Sequence, residues 1–249
     1  MIRCRLPLRY IYIVASIFAY GVSGCTRRIP VATVILVDPS GSVTPRARQD
    51  EFAAVAVLIP KMQRGDSLTI IPITDNAAAD IQGRVLRLRA PSRREAYDAD
   101  LRRFSTEAGR QYSAFAANFL AHPGMRTDIL GALDVARQEI AGIPDTDRRR
   151  LIVLSDFFED DGRYRFSLDR NLKDAADARI LANCLASEHQ FVLHGARIYL
   201  CTLESGDFAR LEPSRQTAVR TFWSAYFART GRHEEVQLDG LEMLEHLPE

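Results

Sequence analysis

Apolar residues in this chain come in short dense runs separated by longer amphipathic stretches. Residues 31–37, Val-Ala-Thr-Val-Ile-Leu-Val, form a continuous apolar run, the pattern of a strand covered on both faces. A small-residue loop, Pro39 to Thr44, follows. Pro45 then suits a first helical position, and Phe52, Val55, Ala56, Ile59 and Met62 recur at helical spacing before Gly65. The pattern predicts strands over 68–73 and 85–88. It predicts a long helix over 93–121, with Leu101, Phe104, Ala108, Tyr112, Phe115 and Phe119 on one side, broken by His122-Pro123-Gly124-Met125. A helix over 127–140, a strand over 151–154, a helix over 172–187, a strand over 196–203, a helix over 218–229 and a short last strand over 236–238 complete the reading. Such alternation implies an α/β fold, a mostly parallel central sheet flanked by helices. No repeat, low-complexity tract or linker divides residues 31–249, so one domain is expected there. Phe222, Trp223, Tyr226 and Phe227 are expected to pack as core.

The 249 residues, 47% hydrophobic and 26% charged, are enough for a buried core of ordinary composition. The first residues stand apart. Arg3, Arg5 and Arg9 precede an uncharged apolar run from Tyr10 to Val22, then Ser23, Gly24 and Cys25. Basic, apolar, small is the order of a secretory signal. The run is about 20 Å long as helix at ~1.5 Å per residue, short for a membrane span of ~20 residues; an uncleaved anchor helix is the alternative. Val22-Ser23-Gly24-Cys25 resembles the lipobox of bacterial lipoproteins. The resemblance implies removal of residues 1–24, lipidation of Cys25, and a short tether over 25–30. Acyl chains would anchor the protein stably, at ~0.8 kcal/mol per buried CH₂. The resemblance also implies export to the periplasmic side of the cell envelope, and Thr26, where an aspartate would mean inner-membrane retention, points to the outer membrane.

The leader's charges are three arginines, so the net charge of +1 becomes about −2 without it. That is no footprint for nucleic acid. Cys184 and Cys201 remain beside Cys25; an oxidising compartment permits a bridge between them, and two separate thiols are the other reading.

The segment with most chemistry is Asp38-Pro39-Ser40-Gly41-Ser42, between the first strand and the first helix. Ligands of open α/β sheets bind at the carboxyl ends of strands. One carboxylate and two hydroxyls at alternate positions can converge from a tight loop, with Gly41 letting the chain bend. These hard oxygens suit Mg²⁺, or Mn²⁺ or Ca²⁺, rather than soft metals. Asp-x-Ser-x-Ser at this place resembles the metal-ion-dependent adhesion site of von Willebrand factor A domains, whose fold is Rossmann-like and doubly wound. That family also has a threonine opening a later helix and an aspartate closing the fourth strand. Thr127 in Arg-Thr-Asp-Ile-Leu and Asp156 in Leu-Ile-Val-Leu-Ser-Asp occupy those places. The resemblance implies that Ser40, Ser42 and Thr127 offer hydroxyls to the metal. Asp38 and Asp156 would act directly or through water, and a carboxylate from a protein partner would complete the shell.

Each residue also has a plainer reading: Thr127 as a helix cap, Asp156 as a turn residue, Asp38 and the serines as an ordinary strand–helix turn. Asp75 and Asp128 are candidates for the rim and support of the site. Glu159-Asp160-Asp161 is either an acidic rim or a solvated loop. The chain has no P-loop, no His-Glu-x-x-His and no Gly-x-Ser-x-Gly. The expectation is a membrane-anchored, non-enzymatic module that binds a partner protein through a divalent metal. The alternatives are a metal-dependent hydrolase of phosphate esters and a scaffold with an inert site.

Overall fold

The computed structural model describes residues 28–77, 84–93, 98–188, 193, 195–230 and 236–247. The leader, Cys25 and Thr26 lie outside the described residues. Among those described, no helix is long and apolar enough to cross a membrane.

Six strands form one sheet: β1 (Val31–Val37), β2 (Ser67–Pro72), β3 (Leu86–Arg89), β4 (Arg148–Ser155), β5 (Arg197–Thr202) and β6 (Val236–Asp239). Their order is β3-β2-β1-β4-β5-β6. All neighbours run parallel except β2 and β3, which pair antiparallel with Leu68 opposite Leu88. The order reverses between β1 and β4, which lie side by side with Val37 opposite Leu154. In doubly wound sheets this is the switch point, where loops part to opposite faces and leave a crevice.

The helices are α1 (Pro45–Ala56), α2 (Asp98–Ala121), α3 (Ile129–Ala141), α4 (Ala175–Glu188), the single turn α5 (Gly206–Ala209) and α6 (Pro213–Thr230). Strand alternation divides the core between them. Ile35, Val37, Ile70, Ile152 and Leu154 face Phe52 and Val55 of α1 and Ala108, Tyr112 and Phe119 of α2. Val34, Leu36, Ile71, Leu151 and Val153 face Leu133 and Ile140 of α3, Ala182 of α4 and the aromatic group of α6. That group is core as expected: Phe222, Tyr226 and Phe227 are fully buried and Trp223 nearly so.

Several boundaries move for identifiable reasons. Helix α1 stops at Ala56, and Ile59–Lys61 is a separate 3₁₀ turn. Pro60 cannot donate a helical hydrogen bond, and its ring would meet the Ala56 carbonyl four residues back. Gly65, with φ +81°, therefore ends no helix; it turns the chain into β2. Strand β4 begins three residues earlier than its apolar run because Arg148, Arg149 and Arg150 pair with Val31, Ala32 and Thr33. Cys184 on α4 is exposed and Cys201 on β5 is buried, and neither is in a disulfide, so the bridge allowed by the sequence is not formed.

Candidate metal centre

The carboxyl ends of β1 and β4 set Asp38 and Asp156 at the switch point. Both are buried, at 0% and 1% exposure. Asp38 is held from three directions. Its Oδ1 accepts from the Ser40 amide at 3.1 Å and its Oδ2 from the Ser155 hydroxyl at 2.5 Å. Its own amide donates to Glu51 Oε1 at 2.8 Å. Arg48, one turn before Glu51, donates to the Ser40 carbonyl at 2.8 Å. The Ser40 and Ser42 hydroxyls are 2.8 Å apart. Neighbouring ligands of an octahedral ion with bonds of 2.0–2.1 Å lie about 3 Å apart, so the two hydroxyls are spaced for one hard cation.

Four loops are tied together around this pair by backbone bonds. The Gly41 amide donates to the Gly124 carbonyl at 2.9 Å, and the Gly124 amide to the Pro39 carbonyl at 3.2 Å. The Thr44 amide donates to Glu204, and the Leu203 amide to Ser155, at 3.0 and 2.9 Å. Thr127 and Asp160 exchange both backbone bonds, at 3.2 and 2.9 Å. Asp75 Oδ1 accepts from the Arg126 amide at 3.0 Å and steadies the loop before Thr127. Gly41 has no left-handed backbone, and a Cβ there would stand 3.5 Å from the Gly124 carbonyl, an ordinary contact. The turn therefore does not demand glycine.

Two plainer readings can be settled. Thr127 does not cap helix α3. The helix opens at Ile129, and Asp128 is its N-cap, accepting from the Gly131 amide at 2.7 Å. Thr127, one residue outside and 3% exposed, is free of that duty. Asp156 does act as a turn residue, but with one oxygen: Oδ1 accepts from the Phe158 amide at 2.9 Å. Its Oδ2 is buried without a hydrogen-bond partner. A buried carboxylate oxygen left alone is costly, and a hard cation is one way to satisfy it.

The electrostatics agree with that need. Burial, then the charge of nearby Asp38, raises the Asp156 carboxyl to a pKa of about 7; the Ser42 and Ser205 hydroxyls pull the other way. Burial also raises Asp38, against the hydrogen bonds from Ser155 and Ser40. Glu51, fully buried behind Asp38, is pushed well above the ordinary carboxyl range by burial and then by the Asp38 charge. Two or three ionised carboxylates in such a pocket repel, and a divalent ion among them removes the conflict.

The pattern of single residues missed several members of this shell. Glu51 had a faint signal, since 48, 51, 52 and 55 share one helical face and Phe52 and Val55 are core. Ser155 and Ser205 had none. Glu159 was read as part of a rim or a solvated loop; it is neither, being fully buried with Oε2 accepting from the Ile129 and Leu130 amides at 3.0 and 3.2 Å. Phe157 has a φ of 58°, a left-handed backbone uncommon for a bulky residue. Its carbonyl accepts from Trp223 Nε1 at 2.7 Å, so the aromatic core of α6 holds the turn that swings Glu159 inward.

No protein-family profile matches the chain, and no curated protein matches it in sequence. Solved structures do. A von Willebrand factor type A protein from Catenulispora acidiphila is 17% identical, with a TM-score of 0.47 over 88% of this chain and 41% of that one. The pilus adhesin SpaC from Lactobacillus rhamnosus GG, in its open conformation, is 11% identical, with a TM-score of 0.50 over 88% of this chain and 29% of that one. The human COPII-coat protein Sec24c is 11% identical, with a TM-score of 0.46 over 87% and 30% of the two chains. This chain spans less than half the length of each. Together, the strand order and the overlay on the adhesin show a Rossmann-like, doubly wound α/β fold, consistent with that of von Willebrand factor A-type domains.

Proposed function

We propose that this chain is a non-enzymatic binding module, anchored to a membrane of the bacterial cell envelope through a lipidated Cys25, that grips a partner protein through a divalent cation. The cation, Mg²⁺ or a similar hard ion, would be held by the Ser40, Ser42 and Thr127 hydroxyls and by Asp156. Asp38 would act directly or through water, its oxygens held in place by the Ser40 amide and the Ser155 hydroxyl. When bound, the ion supplies a positive point that a partner's carboxylate can ligate. The chain's own residues do the rest: Glu51 and Ser155 hold Asp38 in place, and the bond from Trp223 to Phe157 sets the direction of Asp156.

The observation that carries this reading is the buried, partnerless Asp156 Oδ2 beside a hydroxyl pair 2.8 Å apart. The adhesin with a similar fold supports partner binding by analogy of fold alone. Calorimetric titration of Mg²⁺ and Mn²⁺ into the full chain, beside its Asp156→Asn variant, tests it. We expect one ion bound in the millimolar range or tighter, and affinity weakened at least tenfold in the variant. Equal affinity in the two proteins, or no binding by a folded wild type, would remove the metal from the proposal.

A further inference from the structure

Beside the first centre lies a second group of carboxylates. Oxygens of Asp128, Glu159 and Asp161 all lie within 4.8 Å of one another. Asp128 and Glu159 are buried, at 8% and 0% exposure. Asp161 opens onto a groove of about 350 Å³ whose walls include Gly131, Asp134, Arg163 and Tyr164. The Arg163 guanidinium sits over the Tyr164 ring, 5.0 Å from its centroid.

Helix capping explains part of this arrangement. Asp128 Oδ1 accepts from the Gly131 amide at 2.7 Å and Oδ2 from the Ala77 amide at 3.0 Å. Glu159 Oε2 takes the Ile129 and Leu130 amides, so the first turn of α3 is satisfied by two acids. Asp161 Oδ1 accepts from the Arg163 and Tyr164 amides, at 2.7 and 2.5 Å. Capping does not explain the other oxygen of Glu159, Oε1, which is buried without a hydrogen-bond partner. Nor does a cap need a third carboxylate, and a single helix end carries only about half a positive charge. Three acids therefore exceed what α3 can neutralise, and one oxygen lacks any donor.

We propose that Asp128, Glu159 and Asp161 form a second cation site, of the calcium class, distinct from the centre at Asp38 and Asp156. Oxygens that all lie within 4.8 Å of one another share a centre no more than about 2.8 Å from each. Ca²⁺ bonds of 2.3–2.6 Å fall within that reach. Carboxylates in a groove that solvent can enter also suit the flexible, oxygen-rich shell of calcium. The ion would join the loop after β4 to the start of α3. Those two segments carry Asp156 and Thr127 and are already linked by the Thr127–Asp160 backbone pair. The role is thus to brace the two loops of the first centre. The site does not depend on that centre binding anything.

The test is titration of Ca²⁺ into the full chain carrying Asp38→Ala and Asp156→Asn, so that the first centre is disabled. Calorimetry and thermal melting are read together. One Ca²⁺ should bind and raise the melting temperature. Adding Asp161→Asn should weaken the binding at least tenfold, because an amide oxygen keeps the turn to Arg163 and Tyr164 but loses the charge. Adding Glu159→Gln should do the same while keeping an acceptor for the Ile129 and Leu130 amides, and Asp134→Asn should change affinity less than threefold. No heat and no calcium-dependent melting shift in the folded protein would overturn the site. So would an affinity indifferent to both Asp161→Asn and Glu159→Gln. A site that binds here while the first centre ignores Mg²⁺ in the wild type would separate the two proposals.

Discussion

Asp156 divides its work between two oxygens, one closing a turn and one left without a donor. The consequence at the scale of the residue is a dependence on pH. Its folded pKa is raised from 3.8 to about 7, by burial and by Asp38. Between those values the native state keeps a proton that the unfolded state has lost. Stability of the metal-free protein from this group is therefore greatest below pH ~4 and falls as pH rises towards 7. A cation bound as proposed would take the place of that proton, so stabilisation by Mg²⁺ should grow with pH. In thermal melts with chelator and with saturating Mg²⁺, the gain at pH 8 should exceed the gain at pH 5.5 by roughly 3 °C or more, at ~2–4 °C per kcal/mol for a domain of this size. An identical gain at both pH values would mean that Asp156 does not compete for the ion.

At the scale of the element, the start of α3 sets the geometry of both candidate centres. Gly131 occupies its first turn because the Asp128 cap folds back over it: a Cβ there would stand 2.6 Å from Asp128 Cγ and closer still to its Oδ2. In an ordinary helix, Gly→Ala stabilises by ~1 kcal/mol. Here the sign should reverse. Gly131→Ala displaces the capping carboxylate and should cost about 1–2 kcal/mol, the worth of a cap and its buried partners. Denaturant melts of the variant check this, and a gain in stability would show that Asp128 has another place to go.

For the molecule as a whole, the parallel strands separate the two ends of the sheet. At the base, Arg28 grips Asp66 through two hydrogen bonds of 2.7 and 3.0 Å, and Asp66 also receives the Val31 and Gln63 amides. This lock fixes where the chain enters β1. The seven residues of β1 then carry it about 23 Å, at ~3.3 Å per residue, to the candidate metal centre. If Cys25 holds the lipid, the six-residue tether meets the base and the centre points away from the bilayer. Met125, 92% exposed beside Gly124, marks the far end, and exposed Gln63 marks the base. With Cys184→Ser to remove the exposed thiol, fluorophores at Met125→Cys and Gln63→Cys on vesicle-bound protein should differ. A quencher embedded in the bilayer should dim the Gln63 label at least twofold more. Equal quenching would place the centre against the membrane instead.

Much of this was legible in residue order alone, because local rules wrote it there. Apolar runs and helical spacing located the strands and most helices. The alternation predicted a mostly parallel sheet flanked by helices, and the small-residue loop after β1 named Asp38, Ser40 and Ser42. Thr127 and Asp156 were found because the resemblance to von Willebrand factor A domains names places at the edges of elements that periodicity can see. What the order of residues could not supply were contacts across the fold. Glu51 under Asp38, Ser155 on its other oxygen, and the inward turn of Glu159 held by Trp223 join residues 13 to 117 positions apart. No local period links such pairs. Cys184 and Cys201 are alike in sequence and become one exposed and one buried thiol only when α4 and β5 take their places. Local chemistry determined the elements and the ligand types; only packing decided which oxygens were left without donors, because burial and hydrogen-bond supply are properties of the assembled molecule.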